Sequence, residues 1–176
     1  SPNSNDDATP VVFGPARPAD APPTFEPLSS SGSSPFVLGG TVWPTVEHYF
    51  QASKFRPGSP GYNACLQAST PAEARQRGGP HGGYAPSHTW LAERVAVMRR
   101  AMVAKFSQNA FHTQLLLRTG DRPIYQVSGR DRFWSCAPAD VGGLAPAVEA
   151  NTVGRLLEQV RSQLRAESAR FAVASD

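Results

Sequence analysis

Three polar side chains that could take part in acid–base chemistry are spaced one helical turn apart in the first third of the chain. Glu47, Gln51 and Lys54 stand at positions i, i+4 and i+7, so on a helix they lie within about 60° of one another. The aromatic residues around them are Trp43, Tyr49, Phe50 and Phe55. A carboxylate and an amine between aromatic walls have altered proton affinities, as catalytic groups need. The spacing alone leaves open a solvated helix edge with a Glu–Gln–Lys ladder.

A second group of charged and aromatic residues follows a predicted strand in the C-terminal half. Residues 129–134 read Gly-Arg-Asp-Arg-Phe-Trp and precede a loop rich in Gly and Pro, a setting in which functional residues concentrate. An acid between two arginines suits the binding of an anionic group. The alternative is a salt-bridge cluster at a strand end, with Phe133 and Trp134 entering the core.

Composition and motifs exclude several classes of protein. The formal net charge is +3, and only Lys54 and Lys105 among the 17 basic residues are lysines, which favours bidentate contacts between arginine and anions. The four histidines and two cysteines show no metal-ligand spacing, and no Gly-rich nucleotide loop or GxSxG motif occurs. We therefore expect neither a metal nor a cofactor. No apolar run approaches the roughly 18 residues of a membrane span, so we expect no membrane contact.

Short strands and several helices must position these residues. The pattern predicts a mostly helical α+β fold, one domain with a small antiparallel β element. Its boundaries are residues 11–168, with a disordered tail at 1–10 and a C-terminal tail at 169–176. The predicted strands lie at 11–13, 35–38, 41–43 and 124–127, and Gly39-Gly40 predicts a hairpin turn between the second and the third. The predicted helices start at Pro44, at the Thr70 capping box, near residue 88, near Ala110 and at Asn151 as N-cap.

The longest predicted helix runs from about residue 88 to 107. Its apolar residues recur every three or four positions, which predicts one buried face. That face consists of Leu91, Val95, Met98, Met102 and Phe106.

The chain resembles the NADAR family of YbiA-like N-glycosidases. The similarity is strongest in Gly-Thr-Val-Trp-Pro-Thr-Val-Glu-His-Tyr-Phe-Gln-Ala-Ser-Lys-Phe at residues 40–55, close to the family's EHYFQAxKF helix. It continues through Trp90, the DxxW element at 131–134 and the NxxGxLL element at 151–157. The similarity covers about residues 11–165. Three segments depart from the family pattern, and all belong to the expected substrate rim: Leu28 to Gly32, Gly78 to Thr89 and the long loop that begins at Ser135-Cys136.

The resemblance implies cleavage of an N-glycosidic bond between a ribose carbon and a base or amine nitrogen. It implies that Glu47, Lys54 and Asp131 are catalytic. Because the reaction passes through an oxocarbenium-like state, we assign its stabilisation to the Glu47 carboxylate. Asp131 would hold ribose hydroxyls or share the proton transfer, and Lys54 would act as a cation or form a Schiff base. The expected ligand-binding residues are Trp90, Trp134, Gln51, Tyr49, Arg130, Arg132 and Asn151.

Three functions follow from the resemblance, and the first is our prediction. It is the removal of ADP-ribose from guanine bases, with ADP-ribosylated DNA or RNA as the partner. The alternatives are hydrolysis of phosphorylated early riboflavin-biosynthesis intermediates, and a non-catalytic ADP-ribose-binding module. A pure binder gains little from carboxylates that face an anionic ligand, so Glu47 and Asp131 argue against the third function. We expect an intracellular protein, cytoplasmic or nuclear, and the sequence leaves its oligomeric state open.

Overall fold

The computed structural model describes residues 9–21, 23–141 and 150–174. It confirms the α+β class, with short strands and predominant helices. In chain order the elements are β1 (Val11–Phe13), β2 (Phe36–Leu38), β3 (Thr41–Trp43), α1 (Val46–Ala52), α2 (Pro60–Leu66), α3 (Pro71–Gly78), α4 (Trp90–Gln108), α5 (Ala110–Leu117), β4 (Ile124–Gln126) and α6 (Thr152–Ala174).

The chain divides into two compact units, which we name by their place in the sequence. The central unit comprises Ser30–Ala110, and the terminal unit comprises Ser1–Ser29 with Phe111–Asp176. The domain boundaries at residues 11 and 168 stay a prediction. Residues 1–8 of the predicted disordered tail and residues 142–149 of the predicted Gly/Pro loop lie outside the described residues. No helix in the described ranges is long and apolar enough to cross a membrane.

The central unit begins with the predicted hairpin. β2 and β3 pair antiparallel, with Phe36 opposite Trp43. The turn residues Gly39 and Gly40 have φ of 62° and 76°, the left-handed conformation that a two-residue hairpin turn requires and that glycine adopts without strain. The antiparallel β element is therefore confirmed here.

Helix starts in the central unit follow hydroxyl side chains. α1 begins after Thr45, whose Oγ1 accepts a hydrogen bond from the His48 backbone N–H. Our prediction of Pro44 as the start is wrong by two residues, because proline offers no side-chain acceptor for a free helical N–H. The Thr70 cap of α3 is confirmed. α2 was not predicted from the sequence, although its start is marked by a Ser59 cap and a proline at the first helical position.

The face that α4 buries differs from the predicted one at the start of the helix. Met98, Met102 and Phe106 are buried as expected, but Leu91 is 72% exposed. Trp90 is buried in its place, because its ring packs against Phe50 with 4.9 Å between the centroids. The buried face therefore starts one residue earlier than the spacing predicts.

Lys105 on α4 is fully buried. Its Nζ is 5.1 Å from the centre of the Phe106 ring. Burial penalises the ammonium form and lowers the pKa of Lys105 from 10.5 to about 7.

This buried lysine makes a prediction for the pH dependence of stability. Between about pH 7 and 10.5 the unfolded chain binds the Lys105 proton and the folded chain does not, so the free energy of unfolding rises with pH in that window. The slope contributed by this one group is at most about 1.4 kcal/mol per pH unit. Urea unfolding of wild type and Lys105→Met at pH 7 and 9 checks this: the wild type should gain more stability than the variant. Equal gains would contradict the assignment.

The terminal unit is built on a second pair of strands. β1 pairs with β4 in parallel, with Val11 aligned to Ile124, so the prediction of an antiparallel element does not extend to this pair. The two strands are separated by about a hundred residues in the sequence, and such a long connection permits parallel pairing, whereas a two-residue turn does not.

The start of α6 is attached to β4 through Asn151. Its φ is 58°, its Oδ1 accepts from the Gln126 N–H at 3.0 Å, and its Nδ2 donates to the Ile124 carbonyl at 2.8 Å. Asn151 therefore directly precedes α6 as predicted. Its side chain, however, forms hydrogen bonds with β4 and not with the free N–H groups of the helix, so the predicted side-chain cap is wrong. The predicted C-terminal tail is helical as far as Ala174.

Candidate active site

Glu47 stands in the first turn of α1 and is only 5% exposed. Its Oε1 accepts hydrogen bonds from Gln51 Nε2 at 2.8 Å and Arg75 Nε at 3.2 Å, and its Oε2 accepts one from Ser30 Oγ at 3.1 Å. Three donors from three segments thus fix both oxygens of the carboxylate. The predicted side-by-side placement of Glu47 and Gln51 is observed, and the solvated-edge alternative is wrong because both are buried.

His48 anchors the first turn of α1 on its buried side. The residue is buried, with Nε2 3.0 Å from the Ala68 carbonyl and Nδ1 2.8 Å from Thr45 Oγ1. The carbonyl can only accept, so Nε2 donates to it. The first turn of α1, and with it Glu47, is anchored at both ring nitrogens.

Gln51 connects Glu47 to α3. It is 4% exposed, and its Oε1 has no hydrogen-bond partner in the described part of the chain. A Cβ at Gly78 would lie 2.4 Å from that oxygen and 2.9 Å from the Gln51 Cβ. Only glycine therefore allows the end of α3 to approach α1 this closely.

We expect Gly78→Ala to disturb this contact strongly. The added methyl group must displace Gln51 or move α3, which costs about 1–3 kcal/mol as overpacking of a well-filled core. The melting temperature and the turnover rate should both be lower than in wild type. Gly129→Ala is the matched control, because a Cβ there meets nothing within 4 Å. Wild-type stability and turnover in Gly78→Ala would show that Gln51 needs no fixed position.

Lys54 lies just beyond the C-cap of α1, Ser53. Its Nζ donates to the Gly78 carbonyl at 2.9 Å and lies 5.9 Å from the centre of the Phe50 ring and 5.8 Å from that of Trp90. Of the four aromatic residues predicted around this stripe, Phe50 lies beside the amine, and Trp90 forms the second wall. Burial lowers the pKa of Lys54, and the negative charge of Glu47 opposes that shift. The amine loses its proton more readily than an exposed lysine does.

These groups give the central unit a buried carboxylate and a half-buried amine on one flank of α1. The carboxylate can stabilise positive charge on a sugar carbon. The amine, with its lowered proton affinity, can act as a cation or as a nucleophile. This combination is typical of a site that breaks a polar bond rather than one that only binds.

Tyr49 points away from this pair. Its ring packs edge-on against Trp43 at 5.1 Å and against Phe36 at 6.4 Å. The residue is therefore part of the contact between α1 and the hairpin, and its predicted ligand contact stays a prediction.

The remaining predicted site residues belong to the terminal unit. Asp131 is exposed, and its Oδ1 accepts from the backbone N–H groups of Phe133 at 2.9 Å and Trp134 at 2.8 Å. Arg132 pairs with Asp140, at 3.2 Å, and not with the neighbouring acid. The carboxylate of Asp131 thus shapes the turn that carries Trp134. Arg130 lies exposed beside it, and the ligand-binding roles of these residues stay predictions.

Two residues at the Glu47 carboxylate were missed by the sequence analysis, Ser30 and Arg75. They are 17 and 28 residues from Glu47 in the sequence, beyond the range of helical spacing. The Thr70 capping box fixes where α3 starts, but nothing in the local pattern shows which face of α3 meets α1. No local sequence pattern therefore predicts that either residue contacts Glu47.

Comparison with known proteins identifies the family. A family model described as the NADAR domain matches residues 22–165. An N-glycosidase of Nostoc punctiforme is 35% identical over 71% of this chain and 76% of its own length. The N-glycosidase YbiA of Escherichia coli is 30% identical over 80% of this chain and 82% of its own length. A chloroplastic riboflavin biosynthesis protein of Zea mays is 35% identical over 70% of this chain but only 20% of its own length.

A solved structure agrees with these relatives. The NMR structure of the Escherichia coli protein YbiA matches with a TM-score of 0.73 and 27% identity, covering 92% of this chain and 88% of that one. The family match spans most of the chain and includes α1 with Glu47 and Lys54. The chain therefore belongs to the NADAR domain family and is an N-glycosidase.

Proposed function

We propose that this N-glycosidase removes ADP-ribose from guanine bases in nucleic acid, by cleaving the bond between ribose C1′ and the base nitrogen. The observation that carries the proposal is a buried carboxylate, Glu47 in α1, within electrostatic reach of an aromatic-walled amine, Lys54 just beyond that helix. The excess of arginine adds support, because guanidinium groups bind phosphates bidentately.

The proposed reaction uses the two side chains in sequence. Glu47 stabilises the positive charge that develops on the sugar as the C1′–N bond weakens. The neutral Lys54 amine bonds to C1′ and loses a proton, while the base nitrogen leaves with the bonding electron pair and takes up a proton. Opening of the sugar ring yields a Schiff base, and water then hydrolyses it to ADP-ribose and the free amine.

Trp90 and the terminal-unit residues have supporting roles in this proposal. Trp90 walls the amine and keeps bulk water away from it. Because Oδ1 of Asp131 is engaged by two backbone N–H groups, Oδ2 is the atom left to contact a ribose hydroxyl. Trp134 would stack on the base or sugar. Arg130 and Arg132 would contact phosphate.

Hydrolysis of phosphorylated riboflavin intermediates is the second candidate, and the names of two relatives favour it. The Zea mays and Vibrio vulnificus riboflavin biosynthesis proteins are 35% and 34% identical to this chain. However, the match covers only 20% and 33% of those proteins. The N-glycosidases match over 76–82% of their length. Their names give no substrate, so the extent of the match does not decide between the two candidates.

Incubation with both substrate classes tests the proposal. The purified chain is mixed with guanine-ADP-ribosylated DNA and, separately, with the phosphorylated riboflavin intermediates, and released base and sugar are followed by mass spectrometry. We expect ADP-ribose from the DNA. Release from the small intermediates alone would establish the second candidate. Binding of ADP-ribose without release from either substrate would show a binding module.

A further inference from the structure

An open groove lies within the central unit, beside the segment that follows Lys54 in the chain. Its volume is about 570 Å³, inside the range of about 300–1,000 Å³ that ligand sites occupy. One wall consists of Phe55, Arg56 and Ser59 together with Pro60 and Gly61 at the start of α2, and the other is the loop at residues 83–87. No residue of the proposed reaction lines it, so its purpose is not explained by bond cleavage alone.

The groove adjoins the backbone of the two residues that form the amine site. Phe55 of the first wall follows Lys54 in the chain. Ser87 of the second wall donates its backbone N–H to the Lys54 carbonyl at 2.7 Å, and its own carbonyl accepts from the Trp90 N–H at 3.1 Å. Both walls of the groove are therefore attached through the backbone to Lys54, and one of them also to Trp90.

The lining combines a fixed aromatic ring with an available cation. Tyr84 is 39% exposed, and its ring packs edge-on against Phe55 at 5.9 Å. A Cβ at Gly61 would meet the Phe55 ring at 2.9 Å and the Tyr84 Cβ at 3.0 Å, so a glycine is needed for both rings to pack on α2. This close packing holds the exposed Tyr84 ring in place.

Arg56 supplies the charge of the groove. The guanidinium is exposed and makes no ion pair with any residue that the structure describes, and no carboxylate side chain lines the groove. The groove is thus electrostatically suited to an anion, and a planar guanidinium matches the geometry of phosphate.

We infer that the groove binds one nucleotide of the nucleic-acid strand next to the modified guanine, with its base on Tyr84 and its phosphate on Arg56. The inference rests on the proposed function and names the single strand as the form of its substrate. The groove is open to solvent along exposed residues 83–87, so a strand can enter and leave it without presenting an end. Aromatic side chains with neighbouring cations are typical of proteins that bind single strands.

The test compares two substrates that carry the same scissile bond. One is ADP-ribosylguanine inside a nine-nucleotide single strand, and the other is ADP-ribosylated guanosine. For wild type we expect kcat/KM to be about tenfold higher on the strand, the effect of one stacked base. Arg56→Ala and Tyr84→Ala should bring the ratio of the two values close to one, whereas Tyr84→Phe keeps the ring and should keep the ratio.

Arg100→Ala is the matched control, because Arg100 is an exposed arginine of α4 outside the groove lining. Its ratio should equal that of wild type. Equal kcat/KM on both substrates in wild type would overturn the inference, and so would an unchanged ratio in both Arg56→Ala and Tyr84→Ala. If wild type still cleaves either substrate when one of these results is obtained, only the inference about the groove is wrong and the proposed function is unaffected.

A binding measurement keeps the inference testable without turnover. Fluorescence anisotropy follows a labelled, unmodified nine-nucleotide thymidine strand on wild type and on the same variants. Weaker binding by about tenfold in Arg56→Ala and Tyr84→Ala is expected. Identical affinities would overturn the inference. Failure of wild type to cleave either modified substrate contradicts the proposed function separately.

Discussion

Replacing Glu47 by Gln is expected to lower turnover by about 10²- to 10⁴-fold while ADP-ribose still binds. The substitution keeps the shape of the side chain but removes the charge that stabilises the sugar cation in the transition state. Because this interaction strengthens only as the bond breaks, kcat should fall far more than affinity. Release of the base measures turnover, and titration calorimetry with ADP-ribose measures affinity.

The surroundings of Glu47 require a second variant. Gln51 and Arg75 donate to Oε1, whereas Oε2 faces the Ser30 hydroxyl, which can also accept, so Glu47→Gln keeps its hydrogen bonds only when the amide oxygen takes the place of Oε1. Glu47→Asp keeps the charge and should lose less activity than Glu47→Gln, and the melting temperatures of both variants separate loss of the charge from loss of folded protein. Glu93→Gln, at an exposed glutamate of α4, is the control and should behave as wild type. Unchanged turnover in Glu47→Gln would remove Glu47 from the mechanism.

Lys54 is expected to form a covalent adduct with substrate when borohydride is present. Reduction converts the Schiff base to a stable secondary amine, so the mass of the wild-type chain should rise by that of the reduced ADP-ribosyl group. Lys54→Ala should show no adduct. The only other lysine is Lys105, which is buried, so peptide mapping assigns the site without ambiguity. Absence of an adduct from wild type would leave Lys54 an electrostatic role only.

The pH dependence of trapping tests the same residue through its surroundings. Burial lowers the pKa of Lys54 below its ordinary value of 10.5, so the neutral amine, and with it the trapping rate, should rise with pH around a midpoint below 10.5. The charge of Glu47 raises the pKa of Lys54, so Glu47→Gln should move that midpoint to lower pH. A midpoint at or above 10.5 in wild type would contradict the buried-amine account.

The sequence predicts the part of the site that lies on one short helix. Glu47 and Gln51 are neighbours because the helical repeat brings residues four apart together, and this needs no knowledge of the rest of the fold. The Thr70 cap and the Gly39-Gly40 turn are equally local. Such features were predicted correctly because hydrogen bonds between near neighbours determine them.

Long-range contacts account for what the sequence did not predict. Ser30 and Arg75 reach Glu47 only after the segment before the hairpin and α3 have packed on α1. Asn151 looks like a helix cap locally, yet its side chain bonds to β4, 25 and 27 residues earlier in the sequence. Leu91 has the right spacing for the core, but Trp90 fills that place because α1 presents Phe50 there. Each outcome depends on a partner that one sequence does not identify.

A crystal structure with ADP-ribose bound tests the central claim most directly, namely that the bond is broken between Glu47 and Lys54. We predict that C1′ of the ribose that was joined to guanine, not that of the adenosine ribose, lies about 3–3.5 Å from the Lys54 Nζ. This is the separation of reacting atoms in a productive complex. It also predicts that the Glu47 carboxylate faces the sugar ring and that Trp90 covers the amine. ADP-ribose bound with its C1′ out of reach of both side chains would contradict the account.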